Sequence, residues 1–321
     1  MRKPLPLDHA CLLFALTTAL LVAGCAPTRK DFHETLRAQA LAAPQSGPEI
    51  IAAYQPWFGR PGHINVGYSS QDRVVLRRQM EQAKQLGITA FVVNWYGVRN
   101  SFEDRAYALM QEIAAEADFK IALMYDEVDD AGRATEATIS DLEYAYDNYI
   151  GPNAKISTAS YLRYQDRPVI FIFPKAGKTD WKRVREVVNQ WPERPLIVYR
   201  DTSRSVEHFD GLYAWVNPGR DGWDAQGKNW GREYLEDFYE KMVTKHPDKL
   251  AVGAAWPGFD DSLASWTRNR RMDPRCGRTL ADSLRLFRRY YGNGRHLPFL
   301  MIVTWNDYEE GTAIEKGLQK C

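Results

Sequence analysis

A buried strand runs directly into a group of acids near the end of this sequence, where residues 299–315 read FLMIVTWNDYEEGTAIE. The apolar start of the segment predicts a strand, and three carboxylates follow it closely: Asp307, Glu309 and Glu310. Carboxylates held together in a partly apolar place push each other's pKa values apart, which prepares one as an acid and the other as a base. A solvated acidic loop leaving the strand is the alternative. The fold that contains this strand decides between the two.

Strand and helix patterns alternate upstream of this segment. Continuous apolar runs, typical of parallel strands covered on both faces, occupy 50–58, 88–96, 119–126, 168–174, 195–200, 211–217, 250–256 and 299–305. Helical patterns lie between them at 72–86, 102–117, 135–149, 180–190, 230–245 and 279–291. In the first of these, apolar residues recur at helical spacing and Gly87 fits a C-terminal cap.

Eight strands separated by helices predict a (β/α)8 TIM barrel, because a chain of 321 residues is long enough to close one. The link between the fifth and sixth strands is too short for a full helix. Little follows the eighth strand, so we expect the last helix to be short or missing. A doubly wound open sheet is the alternative, and it is disfavoured because no glycine-rich phosphate loop follows any strand.

The first residues have the pattern of a secretion signal. A basic start, Met1-Arg2-Lys3, precedes an apolar run at 11–23 that is too short to span a bilayer comfortably. The run ends in LVAGC at 21–25, which resembles the lipobox of bacterial lipoproteins. Cleavage before Cys25 and acylation of that cysteine would hold the chain on a membrane surface without a spanning segment.

We therefore expect three parts: a lipoprotein signal peptide at 1–24, a lipidated tether at 25–48 and one barrel domain at 49–321. The residue after the cysteine is Ala26, which by resemblance to other lipoproteins favours the outer membrane, on its periplasmic or surface face. A plain signal peptide is the alternative to the lipid anchor.

Composition excludes several classes of protein. The net charge of +1, with acids and bases balanced, argues against a nucleic-acid-binding surface. No cysteine or histidine spacing resembles a metal site, so we expect neither a metal nor an organic cofactor. Cys276 and Cys321 could pair in an oxidising periplasm, but the sequence does not show that they are close. The oligomeric state stays open.

In a TIM barrel the active site lies at the carboxyl ends of the strands. Almost every predicted strand ends in an aromatic residue together with an amide or a carboxylate, whereas the opposite ends are apolar or proline. An apolar-walled cleft with a few polar groups suits a small molecule or a sugar. The candidate substrate-binding residues are Tyr54, Trp57, Asn94, Trp95, Tyr96, Tyr125, Glu127, Trp215, Asn217, Trp256, Trp305 and Asn306.

Each of these candidates has an alternative role. For the aromatic residues it is core packing, and for Glu127 and its neighbour Asp126 it is a charge at the N-terminus of the next helix. The basic run at 268–271 is interpreted as a solvated loop in preference to a site for an acidic glycan. No role is predicted for His63.

Residues 305–315, WNDYEEGTAIE, resemble the closing-strand motif of glycoside hydrolase family 99, the endo-α-mannosidases and endo-α-mannanases. They also resemble the motif of family 71, the α-1,3-glucanases. The aspartate at 307 follows family 71, while the segment from Glu310 onward follows family 99. Segments 54–59 and 94–97 are similar to the first and second strands of the same group.

Both families are (β/α)8 barrels that act on α-linked glycans with two acids three residues apart. The resemblance implies that Asp307 is the general base and Glu310 the general acid. In family 99 the first acid acts through the sugar 2-hydroxyl, and in family 71 the pair resembles an inverting base and acid; both routes stay open. We expect a glycoside hydrolase whose partner is a mannan-like or glucan-like oligo- or polysaccharide. A non-catalytic glycan-binding or envelope polysaccharide assembly lipoprotein is the alternative.

Strand geometry makes a competing suggestion about the second acid. On an extended strand, Asp307 and Glu309 share a face and Glu310 points away. Asp307 and Glu310 can enter one site only if the strand ends near Tyr308 and the chain turns, for which Gly311 is suited. In that case Glu309 is expected to be solvated or to form a salt bridge.

Overall fold

The computed structural model describes residues 47–128, 132–175, 178–202, 206–216, 229–291 and 297–318. The predicted signal peptide, Cys25, most of the tether, Asn217 and Cys321 lie outside these residues. Eight parallel strands form the barrel: β1 Glu49–Tyr54, β2 Ile88–Trp95, β3 Lys120–Asp126, β4 Arg167–Phe173, β5 Leu196–Arg200, β6 Gly211–Tyr213, β7 Leu250–Ala255 and β8 Phe299–Ile302. A ninth, short strand of the same sheet, Arg163–Tyr164, pairs antiparallel with β4. Six helices accompany them: α1 Arg73–Gln85, α2 Ser101–Glu116, α3 Ala134–Ala145, α4 Trp181–Val188, α5 Arg232–Thr244 and α6 Arg278–Tyr291.

The eight strands close into a parallel barrel. Their order is β3-β2-β1-β8-β7-β6-β5-β4, and a further parallel pairing between β3 and β4 closes the ring. The register of β8 against β1 begins at Glu49 opposite Phe299 and continues for four residues. The predicted (β/α)8 fold is therefore confirmed, and the predicted strands and helices fall within a few residues of the observed ones at their barrel-forming cores.

Two helices of the regular barrel pattern are missing from the described residues. Between β5 and β6, residues 201–202 and 206–210 contain no helix, and the described residues 303–318 after β8 contain none either. Both absences were expected from the short links. No helix in the described part of the chain is long and apolar enough to cross a membrane.

Helix α1 shows how the sequence sets these elements. The Asp72 side chain accepts hydrogen bonds from the backbone N–H groups of Val74 and Val75 (2.8 and 3.3 Å) and so caps the helix N-terminus. The apolar stripe of the helix, with Leu76 and Met80, is fully buried against the barrel. Burial of one such side chain stabilises the fold by about 1.5–3 kcal/mol.

One excursion after β7 reaches back over the barrel. Phe259–Asp260 pairs antiparallel with Arg271–Met272, and this short ribbon carries the intervening residues to the carboxyl end of the strands. Cys276, which follows the ribbon, is disulfide-bonded. Its pairing with Cys321 stays a prediction.

Candidate active site

The turn after β8 is built around the carboxylate of Asp307. Its Oδ1 atom accepts hydrogen bonds from the backbone N–H groups of Glu309 (3.1 Å) and Glu310 (2.9 Å). Gly311 continues the turn in the left-handed region at φ +63°, where a residue with a side chain is strained. A Cβ there would also lie 3.0 Å from the backbone nitrogen of Asp260. The strand therefore ends before Tyr308, as is required if Asp307 and Glu310 are to enter one site.

This turn separates the two neighbouring glutamates. Glu309 is buried, and its carboxylate bonds to Nδ1 of His63 (2.9 Å) and accepts from the backbone N–H of Ile64 (2.9 Å). Glu310 instead lines a cavity together with Asp307. The suggestion that Asp307 and Glu309 share the site is wrong, because the turn ends the strand alternation on which it rested.

Asn306 and Gln55 fix Asp307 against β1. The Asn306 side chain accepts from the backbone N–H of Gln55 (2.8 Å) and donates to its carbonyl (3.0 Å). The Gln55 side chain in turn donates to Oδ2 of Asp307 (3.2 Å). Asn306 thus prolongs the pairing of β8 with β1 beyond the last regular strand residue.

The cavity above Asp307 has a volume of about 390 Å³ and lies at the carboxyl ends of β1 to β4 and β8. On one wall the Trp57 ring stacks on His63 (4.7 Å between centroids, 6° between planes), and the Trp266 ring meets Trp57 edge-on at 5.7 Å. The other lining residues include Gln55, Arg60, Asn94, Tyr96, Glu103, Asp126, Phe173, Lys175 and Trp215.

A second cavity of about 590 Å³ adjoins the first. The two share Glu310 and four further lining residues: Phe173, Lys175, Trp215 and Trp266. Asp307 lines the first cavity, and Glu310 lies where the two meet. The Glu310 carboxylate accepts a hydrogen bond from Nε1 of Trp266 (3.0 Å).

Burial perturbs the acids of the site. Burial, and then the neighbouring carboxylate of Glu310, raise the pKa of Asp307 well above its usual range. Burial also raises the pKa of Glu310, against the hydrogen bond from Trp266 that lowers it. Burial raises the pKa of Asp126 to about 6, although the ammonium of Lys175 (3.0 Å) acts in the opposite direction. Raised carboxyl pKa values next to one cavity are typical of acid–base sites.

Several buried polar atoms beside the first cavity have no hydrogen-bond partner within the described residues. They are Gln55 Oε1, Trp57 Nε1, Asn94 Oδ1 and Glu103 Oε2, and all four residues line that cavity. Such atoms are rare in folded proteins and each costs about 1–3 kcal/mol. Their grouping fits a site whose ligand supplies donors and acceptors, as a sugar does through its hydroxyl groups.

The structure brings together four of the predicted substrate-binding residues. Trp57, Asn94, Tyr96 and Trp215 line the first cavity with the two predicted catalytic acids. That these residues bind a substrate stays a prediction. Asn217 lies outside the described residues.

Three predicted ligands face the helices instead. The side chains of Tyr54, Trp95 and Tyr125 donate hydrogen bonds to α1 (2.8 Å), α2 (3.0 Å) and α3 (3.0 Å), respectively. Each is fully buried behind the barrel wall. Their prediction as substrate contacts is wrong, because successive side chains on a strand point to opposite faces.

Four more predicted ligands have structural positions. Glu127 accepts from Trp181 at the start of α4 (2.7 Å), and Trp256 donates to a backbone carbonyl (2.9 Å). The fully buried Trp305 ring packs 5.3 Å from the ring of Phe91. Asn306, as described, holds the backbone of β1. None of the four lines either cavity in the described residues.

The alternation of side chains along each strand predicts which residues at a strand end face the cavity, and the candidate list above did not use it. Gln55 follows the outward Tyr54, and Asp126 lies between the outward Tyr125 and Glu127; both Gln55 and Asp126 line the cavity. A consistent inward parity would have selected Gln55 over Tyr54, and Asp126 over Glu127, both of which were candidates at the end of the third strand. His63 and Trp266 come from loops, and no periodic pattern in the sequence points to them.

A parallel eight-stranded barrel with two perturbed carboxyl groups at the carboxyl ends of its strands defines a glycosidase-type site. The family model described as Glycosyl hydrolase family 71 matches residues 64–316. The chain therefore belongs to this family and is a glycoside hydrolase, for which the substrate class is a polysaccharide.

Solved structures agree on the fold. Two structures of the GH99 endo-alpha-mannosidase from Bacteroides thetaiotaomicron, one of them with BIS-TRIS-propane, match with a TM-score of 0.66 at 17% identity. The match covers 83% of this chain and 86% and 87% of those chains. No curated protein matches the chain. The predicted resemblance to the family 99 and family 71 group is confirmed.

The buried carboxylate of Asp307 should reduce stability at neutral pH. Because the folded state holds the Asp307 proton more tightly than the unfolded state does, its carboxylate destabilises the fold increasingly as the pH rises above about 4, the ordinary aspartate pKa. Asp307→Asn removes that effect and keeps Oδ1 for the turn. Once the Gln55 amide turns over, its Oε1 can accept from the new amide, so this hydrogen bond is kept with its direction reversed. Thermal unfolding at pH 7 should show a Tm higher by roughly 2–4 °C.

The gain should fade as the pH is lowered and disappear below about 4, where the aspartate of the native chain becomes protonated in both states. Glu309→Gln serves as the control, since it disturbs a buried contact with His63 and is expected to give no gain. A Tm of Asp307→Asn at or below that of the native chain at pH 7 would contradict the account.

Proposed function

We propose that the protein hydrolyses an α-linked, mannan-like or glucan-like glycan with Glu310 as general acid and Asp307 as general base. The observation that carries this proposal is that one turn after β8 places both carboxyl groups in the wall of one cavity, with both pKa values raised. Paired carboxyl groups across a glycosidic bond are the usual machinery of its hydrolysis. The α linkage is supported by the name of the structural neighbours, which are endo-alpha-mannosidases.

Hydrogen bonding supports this division of roles. Asp307 accepts three hydrogen bonds, from two backbone N–H groups and from the Gln55 amide, and all three favour its ionised form. Glu310 accepts one, from Trp266. These bonds work against burial, which raises the pKa of Asp307 well above its usual range, so the choice of Asp307 as base and Glu310 as acid follows the family resemblance.

The two cavities suggest how the glycan lies. Glu310 borders both cavities. The glycosidic oxygen that it protonates therefore joins a sugar bound in the first cavity to the leaving part of the glycan in the second. Asp307, in the first cavity, then takes a proton from water or from the 2-hydroxyl of the bound sugar. In the first route the water oxygen bonds to C1 as the glycosidic C–O bond breaks and Glu310 gives its proton to the leaving oxygen. In the second, the 2-oxygen bonds to C1 in that step, and water then opens the resulting 1,2-anhydro sugar.

The walls of the first cavity supply what a sugar needs. Trp57, His63 and Trp266 form an aromatic wall of the kind that sugars contact through their C–H faces. Asn94 and Asp126 supply polar groups beside it, and the unpartnered atoms described above can bind hydroxyl groups.

The roles of the acids can be tested by matched amide variants. Asp307→Asn and Glu310→Gln should each reduce hydrolysis by about 100-fold or more, the usual contribution of general acid–base catalysis. Glu309→Gln, one residue away but bonded to His63 and lining neither cavity, should stay within about tenfold of the native rate. Release of reducing ends from α-1,3-glucan and from α-mannan gives the rates.

Turnover by both amide variants at the native rate would contradict the assignment. Loss of turnover in Glu309→Gln with little effect in Glu310→Gln would return the role of second acid to Glu309. Retained glycan binding by the inactive variants separates loss of chemistry from loss of fold.

We further propose that Cys25 carries a lipid that holds the protein on the bacterial cell envelope, at the outer membrane. The lipobox-like segment before Cys25 supports this. No membrane contact other than the lipid is required, because two or more acyl chains suffice for stable anchoring.

The anchor has a direct test. After expression in a bacterium that processes lipoproteins, the native chain should sediment with membranes and carry the mass of its acyl chains. Cys25→Ser should move most of the protein to the soluble fraction. Equal membrane fractions for the two proteins would contradict a lipid anchor.

A further inference from the structure

The second cavity is rich in cationic side chains. Lys175, Arg200, Arg268 and Arg270 line it, whereas its described carboxyl groups are those of Asp201 and Glu310. Whether these cations serve the fold or a ligand depends on their partners.

Two of the four cations are paired within the protein. Arg270 donates to the fully buried Asp261 (2.8 Å), which accepts further hydrogen bonds from the backbone of the same loop. Lys175 lies 3.0 Å from Asp126. Asp201, the other carboxyl group of this cavity, is bound by Lys241 from α5. Asp261, Asp126 and Asp201 are therefore each bound by a cation of the protein.

Arg200 is held differently. Its guanidinium lies over the ring of Phe173, 4.3 Å from the centroid, at the end of β5. It forms no ion pair with any carboxylate that the structure describes, and it is only partly exposed. A stacked guanidinium retains its N–H groups at its edge, where they can bind a planar anion in two parallel hydrogen bonds.

Arg268 adds a second free positive charge. It is an exposed residue of the loop between the two short strands of the ribbon and lines the same cavity, and among the described residues its side chain has no carboxylate partner. Its backbone N–H is bound by Asp261 (3.1 Å), which fixes its place in the loop. The cavity thus presents two uncompensated guanidinium groups beside the proposed general acid.

We propose that the second cavity binds an anionic substituent, a carboxylate, sulfate or phosphate, on the leaving part of the glycan through Arg200 and Arg268. This inference rests on the proposed function in one respect, the placing of the leaving part in the second cavity. The substrate would then be an acidic α-linked polysaccharide. The solvated-loop interpretation of residues 268–271 is replaced for Arg268 and Arg270, which lie in the cavity wall.

The surroundings favour an anion over a neutral sugar. In a partly enclosed site the attraction between charges is less screened than on an open surface. A cavity for a neutral leaving group has no need of two guanidinium groups without acidic partners. Trp215 and Trp266, which line both cavities, can contact the sugar ring that bears the anion.

The test is a titration of the full chain with charged sugars and their neutral parents. The probes are D-galacturonate, D-glucuronate, glucose 6-sulfate and glucose 6-phosphate, compared with galactose and glucose, at low ionic strength and by calorimetry. At least one charged sugar should bind about tenfold more tightly than its parent, as charge-assisted hydrogen bonds imply. The members that bind show whether the anion is a carboxylate, a sulfate or a phosphate.

Variants assign the preference to the cavity. Arg200→Gln and Arg268→Gln should each reduce the preference for the charged sugar severalfold, and the second variant tests the inference if the first disturbs folding. Arg271→Gln is the matched control, because Arg271 is exposed on the same ribbon and lines neither cavity; it should retain the full preference. Equal binding of all charged sugars and their parents, or an unchanged preference in both variants, would overturn the inference.

Failure of this inference is distinguishable from failure of the proposed function. Hydrolysis of a neutral glycan that depends on Asp307 and Glu310, without any preference for charged sugars, would leave the proposed function and remove the anion site. Binding of a charged sugar that depends on Arg200, with hydrolysis unaffected by Asp307→Asn, would do the reverse.

Discussion

The pair of hydrogen bonds from the backbone of Glu309 and Glu310 to the carboxylate of Asp307 is the interaction on which the site depends. These bonds turn the chain immediately after β8. As a result Glu309 bonds to His63 and does not line the cavity, whereas Glu310 does. A side chain that shapes its own turn is a common use of aspartate. Here the same side chain is also the proposed base.

The turn holds its position because the barrel holds both of its ends. Asn306 bonds both backbone groups of Gln55 at the end of β1. On the other side, the backbone carbonyl of Glu310 accepts from Asp260 in the ribbon after β7 (2.9 Å). The buried acids raise the energy of the fold, and this fixed frame prevents the turn from relaxing to a solvated loop. The proposed catalytic pair and the ribbon that carries Arg268 are therefore positioned by one set of contacts.

Much of the fold could be predicted from the sequence, because parallel barrel strands are continuous apolar runs and the helices between them have clear apolar stripes. The short link after β5 and the missing helix after β8 also follow from segment lengths. The site was predicted less completely. Tyr54, Trp95 and Tyr125 lie at the correct strand ends but on the outer face of the barrel. Position at a strand end does not determine which face a side chain takes.

Other parts of the site have no local signal in the sequence. His63 and Trp266 reach the cavity from loops whose course depends on tertiary contacts, including the hydrogen bond of Trp266 to Glu310. Arg268 and Arg270 are neighbours in a basic run, yet only contacts with Asp261 show which of them is neutralised. Charge compensation of this kind is a property of the folded chain.

The most direct measurement of the central claim is a pH titration of the side-chain carboxyl carbons of Asp307 and Glu310 by NMR in the full chain. Spectra of the two amide variants assign the signals. We predict that the pair titrates in two coupled steps, both with pKa values above the ordinary carboxyl range of about 4. Independent titration of both groups near 4 would contradict it.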